Sequence, residues 1–442
     1  MMTADLSRRF LLKGGLGVSA AAVLTSCSNT PAQEEEGTAD APVTISFLNW
    51  ATSEEATKEN LLKVIAAFEA ANPSIKINNM PVPFDQVRQQ ILTKFSAKDG
   101  PDVMQMSQNV PFELADSDFL ADLGDGLAED DWAGAHFPKA IEASTINGKM
   151  VVAPWIISSF GLWYDREVMA EVGLDPDKPP TTFDEFTTQV EMASEKLGEG
   201  RYALGIDTTN VDVALFQFMN YFLAFGARPL YDGKPGFDTP EVVATLEWLQ
   251  HMVEVGATPI GQQIRQLREL QANGKVMFRL DGPFVAGIYK SLNPALAEGD
   301  AFYKRFGVTT IPVGPTGDNG AVANMHQLGI SSESKQQKAA WEFVKFLVDS
   351  DISINEYQLP QGVIPSLVSA AESDATREAL HPEIADAYLN KILPAMQQGP
   401  YGPHYAEATP KVLEALQRVS VNSEDPAKVA ADTENVLKTI FS

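Results

Sequence analysis

The chain has 442 residues, of which 44% are hydrophobic, and its formal net charge at pH 7 is −26. This surplus of carboxylates repels phosphate backbones and anionic headgroups, which excludes nucleic acid and an electrostatically bound membrane surface as expected partners. A single cysteine excludes internal disulfides, so the folded part must depend on its own hydrophobic core, and the length suffices for two domains.

The first segment has the pattern of an export signal. Arg8 and Arg9 precede an uncharged run that is too short to span a bilayer and ends at Cys27. Paired arginines are typical of twin-arginine signals, and "LTSC" resembles the lipobox, where a signal is cleaved before a cysteine that is then acylated. We therefore expect residues 1–26 to be removed during export, and Cys27 to anchor the protein to the outer face of the cell membrane.

A polar segment and then alternating strands and helices follow the cysteine. Residues 27–42 favour a flexible tether, and structure is expected to begin at Val43. The alternating pattern predicts a strand over 43–50, a helix over 53–73, a strand over 74–83, a helix over 84–100 and a strand over 101–106. This order predicts a parallel sheet covered by helices, in which ligands bind at the carboxyl ends of the strands. Further along, 306–313 predicts another strand and 337–348 an amphipathic helix.

Short segments spread along the chain carry a family resemblance. They include "AKDGPDVMQM", "INGKMVVAPW", "NGKVMFRLDGPF" and "AAWEFVKFLVDS" with "QGVIPS". From residue 43 to the C-terminus this series resembles an extracellular solute-binding protein of an ABC importer, most of all the sugar-binding family that includes maltose-binding protein. The resemblance implies an α/β, two-lobed periplasmic-binding-protein-like fold. Each lobe would be a mainly parallel sheet flanked by helices, with the ligand cleft between the lobes.

The resemblance also implies a domain organisation and partners. The N-terminal lobe would comprise 43–156 and 307–355, and the C-terminal lobe 157–306 and 356–442, with crossings near 155–159, 307–312 and 350–360. The implied partners are a carbohydrate and the membrane permease and ATPase subunits of the importer, which are separate chains. We expect a monomer without a cofactor.

Candidate ligand contacts follow from the chemistry of a sugar. Its hydroxyl rim needs polar side chains and its two C–H faces need aromatic rings. Trp50 ends the first predicted strand and Trp155 lies at the first proposed crossing, whereas Gln108 and Asn109 follow the third strand and offer both donors and acceptors. Asp85 stands where the family often places a polar contact, and a helix N-cap is the equal alternative.

Two loops in the second half supply the remaining candidates. "LDGPF" resembles the family's Gly-Pro-aromatic turn, whose ring often stacks on the sugar, and here the aromatic residue is Phe284. Asp281 precedes it, and can accept from ligand hydroxyls or simply form the turn. "GPYGPHY" corresponds to a family region with an aromatic platform, for which Tyr401 is the first choice and His404 the second.

The sequence gives little support to catalysis or metal binding. It contains no nucleophile elbow, no HExxH motif and no glycine-rich phosphate loop, and its acidic stretch 116–131 has no glycine at the sixth position that a calcium loop requires. A secreted glycoside hydrolase with paired carboxylates is the alternative from another class. Among binding functions the alternative ligand is a polyol or a glycerol phosphoester. A neutral carbohydrate is favoured because, of the inferred cleft segments, only "FRLDGPF" supplies a cation, Arg279.

Overall fold

The computed structural model describes residues 37–124, 127, 131–402 and 404–442, with the side chain of Asp85 outside that description. The predicted signal peptide and Cys27 also lie outside the described residues. Backbone hydrogen bonds of 3.0 and 3.1 Å between Thr38 and Ala41 close a turn, so ordered structure begins before Val43, earlier than the composition predicts. Within the described part of the chain, no helix has the length and apolar character needed to cross a membrane.

The strands are numbered in chain order. They are β1 (Val43–Asn49), β2 (Ile75–Pro81), β3 (Val103–Ser107), β4 (Thr145–Ile146), β5 (Lys149–Met150), β6 (Val152–Ile157), β7 (Gly161–Asp165), β8 (Tyr202–Gly205), β9 (Val276–Asp281), β10 (Phe306–Thr309), β11 (Ala321–Val322), β12 (His326–Ile330), β13 (Ile364–Pro365) and β14 (Met396–Gln397).

The α-helices are numbered in the same way. They are α1 (Lys58–Ala71), α2 (Val87–Ser96), α3 (Val110–Asp116), α4 (Pro138–Ala143), α5 (Arg166–Glu171), α6 (Phe183–Lys196), α7 (Asp212–Ala224), α8 (Pro240–Glu254), α9 (Ile264–Ala272), α10 (Val285–Leu292), α11 (Ala301–Arg305), α12 (Gln337–Asp349), α13 (Asp351–Ser353), α14 (Val368–Ala371), α15 (Asp374–Leu380), α16 (Pro382–Ala387), α17 (Tyr405–Ser420) and α18 (Pro426–Ile440).

The first lobe contains a sheet with the strand order β13-β6-β12-β3-β1-β2. β1 runs parallel to β2 and β3, because α1 and α2 return the chain to the same edge before each new strand. β12 is antiparallel to both β3 and β6, and β13 is antiparallel to β6. The expectation of a mainly parallel sheet is therefore wrong beyond β3, since the strand–helix alternation that predicts parallel pairing ends there.

The second lobe contains a sheet with the order β10-β7-β9-β8, in which only β8 and β9 pair in parallel among the described strands. Strand pairing also shifts the lobe limits expected from the sequence. β10 belongs to the second sheet, so residues 307–309 do not join the first lobe. β13 pairs with β6, so the first lobe extends through Pro365 instead of ending at residue 355.

Each lobe has its own hydrophobic core, formed by the apolar faces of amphipathic helices. On one face of the first sheet, Phe68 of α1 and Phe343 of α12 pack around Phe47 of β1, with the rings of Phe47 and Phe343 5.2 Å apart. α2 covers the opposite face through Ile91 and Phe95. In the second lobe α6, α7, α8, α17 and α18 share one core cluster. A further cluster contains residues of β6 and β13 from the first sheet and of β7 and β10 from the second, so the lobes also share buried apolar surface. Burying each large side chain contributes about 1.5–3 kcal/mol, and these clusters stabilise the chain without disulfides.

Crossing segments connect the lobes side by side. Ser159, between β6 and β7, forms a bridge with Ala323, between β11 and β12. The backbone N–H of Asn324 donates to Ser158 at 2.9 Å, and that of Ala323 donates to Gln397 at 2.8 Å. β11 also pairs with β14, so a third segment lies against the second crossing. These segments position the strand ends of the two lobes at the cleft.

Candidate functional site

Strand ends of the first lobe bring three side chains together. Trp50 follows β1, Gln108 follows β3, and His326 begins β12 opposite Ser107 in the strand register. The ring of His326 meets the indole of Trp50 edge-on, with centroids 4.9 Å apart and planes at 78°. Because β12 is antiparallel to β3, its first residue lies at the carboxyl end of β3, where this class of sheet binds ligands.

Trp50 is less accessible than a ligand platform should be. It is 4% exposed, and its backbone N–H donates to Gln105 Oε1 at 3.2 Å. Phe84, which follows β2, contacts the indole edge-on at 5.3 Å and is 48% exposed. Phe84 therefore presents more ring surface than Trp50, and sequence reasoning missed it although it precedes Asp85. The backbone of Asp85 lies in a 3-10 turn, Phe84–Gln86, that leads into α2.

His326 is a polar residue of this site that the sequence does not indicate. Burial lowers its pKa to about 4, so the imidazole is neutral at pH 7. Its Nδ1 atom is buried and has no hydrogen-bond partner among the described residues. A neutral imidazole offers one donor and one acceptor, which suits a hydroxyl group. A lone histidine forms no motif, so only the pairing of β12 reveals its position.

A hydrogen bond joins the two lobes at this site. Gln108 Nε2 donates to the Tyr401 hydroxyl at 3.2 Å, and Gln108 Oε1 accepts from the backbone N–H of Met325 at 3.0 Å. The Tyr401 ring also lies 5.8 Å from Phe112 of α3 and 5.0 Å from Tyr405 of α17. Burial raises the pKa of Tyr401 well above its usual value, which keeps the hydroxyl protonated. Two predicted residues that are far apart in sequence therefore meet across the cleft.

Asn109 and His404 have simpler surroundings. Asn109 is half-buried before α3 and accepts a hydrogen bond of 2.8 Å from Ser107 Oγ. It stands beside Gln108, as the sequence predicts. The ring of His404 lies 5.0 Å from that of Phe441 near the C-terminus. This contact favours Tyr401 over His404 as the residue of that loop that faces the cleft.

Trp155 is a core residue, contrary to the expectation that it contacts ligand. It is fully buried in β6, and its indole stacks on Tyr357 with centroids 4.8 Å apart and planes at 17°. The physical reason is that Tyr357 packs on the indole within a core cluster that also contains residues of α1 and α12. The fully buried ring has no face left for a sugar.

Asp281 holds arginines, contrary to the expectation that its carboxylate accepts from ligand hydroxyls. It is fully buried at the end of β9. Arg268 of α9 donates to both carboxylate oxygens, through Nε and Nη2, each at 2.8 Å. Arg279 also donates to Oδ2, and the backbone N–H of Gly282 donates to Oδ1 at 2.8 Å. The carboxylate is saturated by protein donors, so it has little capacity left for a ligand.

Phe284 extends from the second lobe toward the first. It is half-buried and packs against the core cluster of the first lobe that includes Trp155 and Tyr357. The guanidinium of Arg268 lies over its ring, 5.4 Å from the centroid. Sequence reasoning missed Arg268, because it precedes the Gly-Pro-aromatic turn by more than ten residues and nothing local marks it.

A cavity of about 820 Å³ lies beside the crossing segments. It is bounded by α4, by the loop after α7 and by the segments that flank β11 and β14, and it includes an ion pair of 3.0 Å between Arg228 and Asp318. None of the eight ligand contacts predicted from the sequence lines it. Within the described part of the chain, no group of three His, Cys, Asp or Glu side chains is arranged to hold a metal ion.

Residues 51–352 match the family model of bacterial extracellular solute-binding proteins. The chain belongs to this family. The match begins just after Trp50 and ends within α13, so it includes the whole second sheet, most strands of the first sheet and the strand-end residues Gln108 and His326. The fold and the family expected from the sequence are thereby confirmed.

Relatives and solved structures extend this comparison. The diacetylchitobiose-binding protein DasA of Streptomyces coelicolor is 25% identical over 361 residues, which cover 79% of each protein. A solute-binding protein of Thermotoga lettingae bound to α-D-tagatose superposes with a TM-score of 0.76 at 20% identity, covering 91% of this chain and 100% of the other. UgpB of Mycobacterium tuberculosis with glycerophosphocholine gives a TM-score of 0.75 at 20% identity, covering 90% and 98%. At these identities the structural likeness establishes the fold alone.

Proposed function

We propose that this protein captures a carbohydrate between its two lobes and delivers it to the permease and ATPase subunits of an ABC importer, without catalysing a reaction. The observation that carries the proposal is the family match over residues 51–352. The sugar ligands of DasA and of the Thermotoga lettingae protein support the ligand class. A polyol or a glycerol phosphoester is the second candidate, which the glycerophosphocholine complex of UgpB favours.

The proposed site uses residues of both lobes. Trp50, Gln108 and Asn109 contribute from the first lobe, and Phe284 and Tyr401 from the second. Phe84 and His326 join them because both rings lie beside Trp50, one exposed and the other with an Nδ1 atom that lacks a hydrogen-bond partner among the described residues. The Gln108–Tyr401 hydrogen bond supports closure about the crossing segments, a response to ligand that hinged proteins often show. A ligand drives closure only through its greater affinity for the closed form.

A thermal-shift screen over sugars, polyols, phosphoesters and amines tests the ligand class. The best ligand is then measured by calorimetry and by small-angle scattering, where closure is expected to reduce the radius of gyration. Bound oligosaccharide is expected to be recovered chemically unchanged. Stabilisation by amines alone would contradict the carbohydrate proposal. A cleaved product that forms at a rate proportional to the amount of protein across purification steps would favour the hydrolase alternative.

The N-terminal sequence supports a second, separable proposal about location. We propose export through the twin-arginine signal and anchoring through acylated Cys27, with the folded part beginning beyond a short tether. Cys27→Ala is expected to release the protein from the membrane fraction, whereas Arg8→Lys with Arg9→Lys is expected to block export. Fractionation of the two variants decides this, and an alanine variant that stays with the membrane would contradict anchoring.

A further inference from the structure

The corner of the cleft around Asp281 carries more positive than negative charge. Arg268 and Arg279 both form ion pairs with the one carboxylate of Asp281. No second carboxylate forms an ion pair with either guanidinium among the described residues. Burial lowers the pKa of Arg268 to about 10, which leaves it charged at neutral pH. Two cations and one anion leave this corner with a surplus charge of one, in a protein whose net charge is −26.

Arg268 is the part of this cluster that a ligand can reach. Arg279 is fully buried and also donates to Tyr289 and to the backbone oxygen of Leu280. Arg268, by contrast, has 19% of its side chain exposed, and within the described residues its Nη1 donates no hydrogen bond. Its guanidinium also lies over the ring of Phe284, so the free donor sits next to the proposed sugar platform.

We infer that the ligand captured between the lobes is an acidic sugar, whose carboxylate or phosphate binds Arg268 beside the ring of Phe284. This inference rests on the proposed carbohydrate function. Guanidinium groups pair with both kinds of oxyanion through charge-assisted hydrogen bonds, which are stronger than hydrogen bonds to a neutral hydroxyl. Asp281 cannot accept hydrogen bonds from sugar hydroxyls, because its oxygens already accept from Arg268 and from the backbone of Gly282. The polar group left at this corner is the Arg268 donor, which needs an acceptor on the ligand.

Calorimetry on matched sugars tests the inference. The probes are glucose, glucuronate and glucose 6-phosphate, galactose, galacturonate and galactose 6-phosphate, and cellobiose with cellobionate. In at least one set the acidic member is expected to bind about 10- to 100-fold more tightly than its neutral counterpart, as one charge-assisted contact allows. The carboxylate and phosphate arms distinguish the two sources of negative charge. The advantage of the acidic member is expected to shrink between 50 and 500 mM salt.

Variants of one helix provide the control. Arg268→Gln is expected to remove the preference for the acidic sugar, Arg268→Lys to retain part of it, and Arg265→Gln, an exposed position of α9, to leave it unchanged. Thermal unfolding of each variant without ligand verifies that it folds. Equal or tighter binding of neutral sugars by the unaltered protein would overturn this inference and leave the proposed function intact. Failure of every sugar, neutral or acidic, to bind would overturn both.

Discussion

The two sides of the cleft hold their polar groups in different ways. On the first lobe, Gln108 and His326 are neutral, and Gln108 reaches the second lobe through one hydrogen bond to Tyr401. On the second lobe, the carboxylate of Asp281 is fixed by two guanidiniums and a backbone N–H. A neutral hydrogen bond contributes about 1 kcal/mol net, whereas breaking a buried ion pair costs about 3–5 kcal/mol.

This difference indicates which contacts can change when the lobes move. The Gln108–Tyr401 contact joins the lobes and is weak enough to break and re-form as the cleft opens. The Asp281 cluster lies within the second lobe and must persist in both states, because opening it would leave charges buried without partners. We therefore regard the first as a switchable contact and the second as a fixed frame for Phe284.

The largest expected effect comes from removing the carboxylate of the fixed frame. Asp281→Asn leaves Arg268 and Arg279 facing each other without a counter-charge, and is expected to lower the free energy of unfolding by about 3–5 kcal/mol. Urea denaturation measures the change, with Asp116→Asn at the exposed end of α3 as the control. A loss below about 1 kcal/mol, as for an exposed ion pair, would show that the cluster is not a rigid frame.

The next effect concerns the ring that this frame supports. Phe284→Ala is expected to remove about 1–3 kcal/mol of ligand binding, a 5- to 150-fold weaker affinity, because stacking area is lost. Calorimetry with the best ligand from the screen measures it. Tyr303→Ala is the matched control, since Tyr303 stacks on His381 elsewhere in the second lobe. Equal losses in both variants would argue against Phe284 as a platform.

Local patterns in the sequence predict the early strands and helices of the first lobe. The alternation over residues 43–50 and the apolar spacing that follows predict β1 and α1, and the structure has both. Strand ends also place Trp50 and Gln108 near one another, since the carboxyl ends of parallel strands share an edge. These predictions succeed because each depends on residues close together in the chain.

The remaining site residues depend on contacts that the local pattern does not contain. Trp155 becomes buried because Tyr357, which comes much later in the chain, stacks on its indole. Asp281 loses its ligand role only because α9 packs so that Arg268 reaches it. The same long-range pairing brings His326 to Trp50. In each case the chemistry of the residue is visible in the sequence and its neighbours are not.

The stability of the folded protein is expected to depend on pH through His326, on the neutral side of the cleft. The pKa of its imidazole is about 4 in the folded protein and about 6.5 when unfolded, so the unfolded state binds more protons between these values. The contribution of His326 to stability is therefore fully present above pH 6.5 and is lost as the pH drops toward 4. From pH 7 to pH 5 this histidine is expected to remove about 2 kcal/mol.

Measuring the free energy of unfolding of His326→Gln at pH 7 and at pH 5 isolates that contribution. Between these two pH values the variant is expected to lose less stability than the unaltered protein. His251→Gln is the control, because His251 is half-exposed on α8, where it pairs with Glu191 at 2.6 Å. Burial lowers the pKa of His136 to about 4 as well, but raises the pKa of Asp349, 3.3 Å away, to about 6, so these two shifts oppose each other. Identical pH dependence in His326→Gln and the unaltered protein would contradict a neutral, buried imidazole at the cleft.

The smallest expected effect tests the switchable contact itself. Tyr401→Phe keeps the ring and removes the hydroxyl that accepts from Gln108, so ligand affinity is expected to fall by about 0.5–1.5 kcal/mol, or 2- to 12-fold. Gln108→Leu with Tyr401→Phe completes a double-mutant cycle, although Gln108 also accepts from Met325 and its single variant loses that contact too. If the two residues act by holding the lobes together, Tyr401→Phe should enlarge the ligand-free radius of gyration in small-angle scattering while leaving the ligand-saturated value unchanged. If affinity falls without any change in the ligand-free radius of gyration, the hydroxyl acts only in the closed form, and a coupling energy near zero in the double-mutant cycle would then assign it to direct contact with ligand.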